Sequence, residues 1–161
     1  MKKTLILLLS LGGCLTPVHP DVALEPGVSL KGYRVFVVEP VADRTGAPFD
    51  LNVTDSLRAQ LGDRLRSHGL TVVAKIPEDT TSGVLVIRST LEAFRGMSIQ
   101  MELPGPGGSD TMCRLRSELR DARTGRHLGE IIASDMGGRR PMIVLNECAH
   151  DTGDEIYRQQ R

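Results

Sequence analysis

The chain has 161 residues, 40% hydrophobic and 25% charged, which gives room and composition for one globular domain with a buried core. Aromatic residues reach only 3% and Trp is missing, which argues against a surface built for stacking bases or sugars. Basic and acidic side chains number 20 each, so the formal charge is +0 and no net field draws the chain toward nucleic acid or another polyanion.

Lys2 and Lys3 open the chain, an apolar run follows at 4–11, and the small residues Gly12 and Gly13 then precede Cys14. The run is far below the roughly 20 residues that a spanning helix needs, so the pattern predicts a signal peptide over 1–13. Leu11-Gly12-Gly13-Cys14 resembles the lipobox of bacterial lipoproteins. That resemblance implies a lipid on the Cys14 sulfur, cleavage just before it and acylation of the new amine. Leu15 in the following position, rather than Asp, resembles a signal for the outer membrane. Loss of Lys2 and Lys3 would leave 18 basic against 20 acidic side chains, a body of charge −2. Residues 14–30, with three Pro and no periodic pattern, read as the acylated Cys and a flexible tether, and 31–161 as a single α/β domain.

The β-branched run at 33–41 predicts a buried strand that Pro40 ends. Val53, Leu57, Leu61 and Leu65 then form one stripe of a helix over about 50–68, with Asp50 as its cap and Gly69 as its left-handed stop. Residues 70–76 predict a second strand. A third starts at 83, and its alternation continues through Met97, Ile99, Met101 and Leu103 into the glycine-rich turn 104–110. At 112–121, Cys113, Leu115 and Leu119 point one way and Arg114, Arg116, Glu118 and Arg120 the other. The turn 121–126, with Gly125 free to take positive φ, predicts a hairpin into 127–135. Residues 141–158 read as a helix whose inward face carries Met142, Leu145, Ala149, Thr152 and Ile156, weakened by Gly153. The sum is a two-layer α/β (α+β) sandwich, a mixed four- to five-stranded sheet with two helices packed on one face.

The strand VFVVEPVAD, the helix TDSLRAQLGDRLRSHGL and the hairpin LRDARTGRHLGE are similar to those of small Gram-negative envelope lipoproteins with a single α/β domain. Among these are the curli-secretion channel lipoprotein and the penicillin-binding-protein activator lipoprotein. The likeness spans about 33–158 and implies an accessory or assembly role rather than catalysis. The chain lacks the long insertion with which the channel proteins could build a pore.

Cys113 on the inner sheet face and Cys148 near the inner face of the last helix are placed to close a disulfide in an oxidising compartment, worth roughly 3–4 kcal/mol for the loop between them. Two buried, separate thiols are the alternative. Asp151-Thr152-Gly153 matches the aspartic-protease triplet, yet the spacing around it is helical and no second copy supplies the paired carboxylate. His150 and Asp154 share a helix face, with Cys148 and His127 as the other candidate ligands, but two ligands do not make a metal site, and no cofactor or metal is expected. His68 suits a helix C-terminus as a cation. The loop 104–109 lacks the Lys-Ser/Thr ending of a phosphate loop. Asn52-Val53-Thr54 is only a formal glycosylation sequon.

Two surfaces remain as partner-binding candidates: the ribbon of Met97, Ile99 and Met101, and the stripe of Arg114, Arg116, Glu118 and Arg120 with Arg88 and Glu92 beside it. The expected protein is therefore an outer-membrane-anchored, periplasm-facing lipoprotein. It would be a non-catalytic interaction module of an envelope assembly, with a membrane contact through its lipid and a protein partner. The alternatives are an envelope hydrolase or metal-binding protein using His150, Asp151 and Asp154, and a small membrane-associated oligomer.

Overall fold

The computed structural model describes residues 19–46, 52–78, 83–95, 111–137 and 140–161. Cys14, Asp50, the ribbon Met97, Ile99, Met101 and Leu103, and the loop 104–110 lie outside the described residues. The elements are β1 (Asp21–Leu24), β2 (Val35–Val38), β3 (Ala42–Asp43), α1 (Val53–Ser67), β4 (Thr71–Val73), β5 (Val84–Arg95), β6 (Thr111–Asp121), β7 (His127–Gly137) and α2 (Pro141–Gln159). They form one mixed sheet in the order β1-β7-β6-β5-β2-β4, with the short β3 also pairing to β5. β2 runs parallel to β4 and β5, while β5, β6, β7 and β1 pair antiparallel.

The α/β class and the two helices agree with expectation, and the strand count does not: the described residues alone hold seven strands where four or five were expected. Two of the additions are short. β3 holds two residues beyond Pro40, and β1 lies inside the stretch read as a tether. Leu30, also in that stretch, is fully buried in the core. The folded body therefore begins well before residue 31.

α1 forms because Val53, Leu57, Leu61 and Leu65 recur on one face, and all four are buried. Its cap is Asn52 rather than Asp50: the Asn52 side chain accepts the Asp55 backbone N–H at 3.2 Å. The end follows the expected pattern. Gly69 N–H donates to the Arg66 carbonyl at 2.8 Å and Leu70 N–H to that of Leu65 at 3.1 Å, satisfying carbonyls that the helix would leave open. Leu70 then packs on the core, and the strand after it runs only over Thr71–Val73.

Alternation along the long strands sorts the two sheet faces. Leu85, Ile87, Leu91, Cys113, Leu115, Leu119, Ile131 and Ala133 join the stripes of α1 and α2 in one cluster. Inside it, the hydroxyls of Ser89 and Ser117 bond each other at 2.8 Å, so neither is left unpaired. On α2 the buried face is Leu145, Cys148, Ala149, Thr152 and Ile156, joined by Val144. Met142, expected to face inward, is instead exposed, while Val144 in the same first turn is buried.

β1 closes the edge beside β7, with Leu24 opposite Gly129 and the Glu25 N–H donating to the Leu128 carbonyl at 2.9 Å. Gly129 has φ +149, and a Cβ there would stand 2.4 Å from the Ala23 carbonyl oxygen and 2.7 Å from the Leu24 Cα. The strand docks only because position 129 has no side chain. Gly129→Ala is expected to destabilise the fold by on the order of 1–3 kcal/mol, through strain at that backbone angle and loss of β1. Urea unfolding gives the size, and faster amide exchange at Ala23 and Glu25, whose N–H groups face β7, than at Leu115 localises it; unchanged exchange at β1 would contradict the account.

Candidate functional site

The sheet face turned away from the helices carries the predicted charged stripe. Arg114, Arg116, Glu118 and Arg120 do project there, and the structure supplies their partners. Arg116 sits opposite Thr90 on β5 and Ile132 on β7. Its Nε donates to Glu92 at 2.5 Å and its Nη1 to Glu130 at 2.7 Å. The register shift between Leu91 and Ala93 puts Glu92 where Arg114 also reaches it, at 3.0 Å. Arg88 pairs with Glu39 at 2.7 Å and Arg120 with Glu118 at 3.0 Å. Hydrogen bonding from Arg116, and less from Arg114, holds the Glu92 carboxyl below its ordinary range against the opposing effect of burial. The same bonds from Glu92 and Glu130 push the Arg116 guanidinium up.

Each pair is part-exposed and worth roughly 0–1 kcal/mol, so the lattice matters less for stability than for what it presents. A partner meets alternating, mutually satisfied charges and must break pairs to form new ones. Toward β4 the same face turns apolar, with Val37, Val84 and Val86 buried among Val35, Val73 and Ala122. Sequence reading found the arginines and Glu92 but missed Glu39 and Glu130, because a strand's own alternation does not say which residues lie across the ladder.

A second polar cluster joins the two helices. Arg64 grips Asp154 with two bonds, at 2.5 and 2.8 Å, and His68 Nε2 meets the same carboxylate at 2.6 Å. His68 also stacks on Tyr157, ring centres 4.2 Å apart and planes 6° from parallel, with the Arg161 guanidinium 5.1 Å from the Tyr157 ring centre. The cluster forms because α1 and α2 approach closely at Gly153, where a Cβ would stand 2.9 Å from Arg64 Cγ. Arg64, then His68, hold Asp154 down to about 2.

This cluster absorbs most of the predicted chemistry. The Asp154 carboxylate, one of the three groups of the alternative hydrolase or metal reading, is bonded to Arg64 and His68. Asp151 has its carboxyl raised, first by burial and then by the negative charges of Glu147 and Asp135. The triplet Asp151-Thr152-Gly153 lies within α2: Thr152 donates to the Cys148 carbonyl at 2.9 Å and Gly153 packs on α1. His127 stands 3.9 Å from Glu25 across the β1–β7 edge, away from the others. Among the described residues no three metal-ligating side chains come together. Cys113 and Cys148 do meet in the core, but as free, fully buried thiols rather than the expected bond. Hydrogen bonding with Cys113, then burial, pushes the Cys148 thiol up. A hollow of about 430 Å³ between α1 and β4 is lined by Val38, Arg58, Gly62, Arg66 and Val72 among others. Its cations are engaged, Arg58 with the Val38 carbonyl at 3.0 Å and Arg66 with Asp63 at 2.7 Å.

No protein-family model matches the chain, and no curated protein matches it in sequence. Solved structures do. The chain is similar to a PelC dodecamer from Paraburkholderia phytofirmans at 16% identity, covering 88% of this chain and 97% of that one, with a TM-score of 0.59. It is also similar to a DUF330 protein from Xanthomonas campestris at 15% identity, covering 86% and 90%, with a TM-score of 0.50. At these identities the fold is what is shared: a bacterial α/β architecture over almost the whole of each chain.

The helix clamp makes a pH-dependent contribution of definite sign. Asp154 is depressed from 3.8 to about 2, so its stabilisation is complete above pH 4 and disappears as pH falls from 4 to 2. Asp154→Asn is expected to lower the urea midpoint at pH 7 and to converge on the unmodified protein near pH 2. A gap that stays constant over that window would show that the carboxylate's charge is not what matters.

Proposed function

We propose that the chain is a lipid-anchored, non-catalytic accessory protein of a bacterial cell envelope, held at the periplasmic side of the outer membrane through Cys14. The observation that carries this reading is the motif Leu11-Gly12-Gly13-Cys14 behind a short basic and apolar leader, seven residues ahead of β1. More than one acyl chain is needed for firm attachment, which acylation of both the sulfur and the new amine would provide. Two further facts accord with it. No helix among the described residues is long and apolar enough to cross a membrane, and the fold is shared with bacterial proteins. Of the groups that sequence singled out, Asp154 and His68 serve the helix clamp and Arg114, Arg116, Glu118 and Arg120 the sheet-face lattice, which supports a binding rather than a chemical role.

The test is fractionation of the expressing bacterium with intact-mass measurement. The full chain is expected in the outer-membrane band, carrying the mass of a diacylglyceryl and an amide-linked acyl group. Cys14→Ser is expected to lose both the lipid mass and the membrane fraction. A Cys14→Ser protein that still sediments with membranes would sink the reading.

Self-assembly is the second reading, favoured by the dodecamer that PelC forms over a fold matching 88% of this chain. The two sheet edges, β1 and β4, and the apolar strip around Val37 and Val86 are where copies would meet. Native mass spectrometry of detergent-extracted protein is expected to show an oligomer of fixed copy number, and a monomer at micromolar concentration would remove this reading.

A further inference from the structure

Formal neutrality conceals an uneven distribution of cations. Arg64 and Arg66 are paired with aspartates, and Arg88, Arg114, Arg116, Arg120 and Arg158 with glutamates. Lys31, Arg34, Arg123 and Arg126 differ. All four are exposed, and among the described residues their side chains make no hydrogen bond or ion pair. They also sit together, because Tyr33 ties their two turns to one hub. Its hydroxyl donates to Asp121 at 3.0 Å, and Gln160 Nε2 donates to the carbonyls of Tyr33 at 2.7 Å and Leu30 at 3.3 Å. Burial, then the bond to Asp121, pushes the Tyr33 hydroxyl up to about 12, and the nearby Arg126 charge opposes them. Arg161 brings a fifth cation, 5.1 Å from the Tyr157 ring centre. Arg44, Lys75 and Arg95, also exposed and without such bonds, lie toward the opposite end, beyond β3, beyond β4 and closing β5.

The turns that carry the cations are held firmly. Arg34 N–H donates to the Gly83 carbonyl at 2.8 Å, and Asp121 accepts the Thr124 N–H at 2.8 Å and its hydroxyl at 2.7 Å. Little order is therefore lost when a partner binds there. The acids at this end are already occupied: Asp121 by Thr124 and Tyr33, Glu155 by Arg158 and Gln159, while Glu25 stands 3.9 Å from His127. Arg158 and Arg161 suit the negative end of α2, but the other four cations lie outside the helices, so the helix dipole does not account for them.

We propose that Lys31, Arg34, Arg123 and Arg126, with Arg161 beside them, form a docking surface for an extended, carboxylate-rich segment of a protein partner. Guanidinium forks match carboxylates in shape, and these cations need shed only water, whereas the sheet-face lattice must first break its own pairs. Their placement on separate turns suits a strip of charges better than a single small anion, and none of the five lines the hollow between α1 and β4. Bases and sugars find no open aromatic platform here, since Tyr33 is half-buried and bonded and Tyr157 lies against His68 and Arg161. A bilayer fits less well. β1 is antiparallel to β7 with Asp21 opposite Ile132 and Leu24 opposite Gly129, so the chain before Asp21 leaves toward the other end. The proposal deepens the binding role argued above by naming the partner's chemistry, and only its orientation away from the membrane rests on the Cys14 reading.

The test is fluorescence anisotropy of a labelled decaglutamate peptide titrated with the full chain in non-ionic detergent. Saturable binding that weakens steeply with added salt is expected. The triple variant Lys31→Gln/Arg34→Gln/Arg126→Gln is expected to bind more weakly by on the order of tenfold. A triple matched in charge at the opposite end, Arg44→Gln/Lys75→Gln/Arg95→Gln, is expected to stay within about twofold, since screening limits its reach. Equal weakening by the two triples overturns the proposal, because net charge rather than this end then draws the peptide. Absence of saturable binding overturns it as well. Tighter binding of pyrophosphate or of phosphatidylglycerol vesicles, lost in the first triple only, assigns the surface to phosphate and overturns the carboxylate partner. An oligomer that the first triple alone dissociates, seen by native mass spectrometry, assigns it to a second copy with the same consequence. Titration in solution does not pass through the lipid, so failure of the Cys14 reading, seen by mass and flotation, leaves this result standing. Circular dichroism of both triples confirms that the fold is intact.

Discussion

The close approach of α1 and α2 at Gly153 is the constraint on which the rest of the molecule depends. The sheet's inner face is apolar apart from the paired hydroxyls of Ser89 and Ser117, and two helices lie side by side to cover it. A side chain at position 153 would collide with the stem of Arg64, and the shift would open the core beneath. The same approach sets Asp154 between Arg64 and His68, so the packing contact and the polar clamp are one feature. A part-exposed bidentate pair is a modest source of free energy, but it fixes how far one helix can slide along the other.

Most of the core was legible because it obeys short periods. The spacing of Val53, Leu57, Leu61 and Leu65 and the alternation about Cys113, Leu115 and Leu119 each specify a face without reference to anything distant. What escaped depends on contacts between remote parts of the chain. β1 has four residues between two prolines and becomes a strand only by pairing with β7, whose Gly129 leaves room for it. β3 is a two-residue extension of pairing beyond Pro40. Gly153 counts as a defect by helix propensity, about 1 kcal/mol, yet it is the residue that lets the helices meet. Met142 satisfies the spacing of the inward stripe and is still exposed, since spacing does not tell which positions of a helix's first turn are covered.

The candidate surfaces divide in the same way. Alternation placed Arg114, Arg116, Glu118 and Arg120 on one face correctly, but the pairing of Arg114 and Arg116 with Glu92, of Arg116 with Glu130 and of Arg88 with Glu39 comes from cross-strand register and from the bulge after Leu91. The stripe of mixed charges is thus a lattice whose members already hold one another. Such a face discourages adventitious charged partners and favours one whose own charges can replace several pairs at once. The apolar strip beside it, around Val37 and Val86, offers the kind of contact that needs no such exchange.

The strand pairing at the sheet's edge also has a mechanical meaning. Tension reaching Asp21 from the N-terminal side runs along the axis of β1, parallel to the strand it lies against. All the rungs joining β1 to β7 then share the load at once, as in a lap joint, instead of parting one by one as they would if the strand were peeled sideways. A short terminal strand, held in place by the bare backbone of Gly129, therefore serves as a strain relief between whatever pulls on the N-terminus and the hydrophobic core behind it.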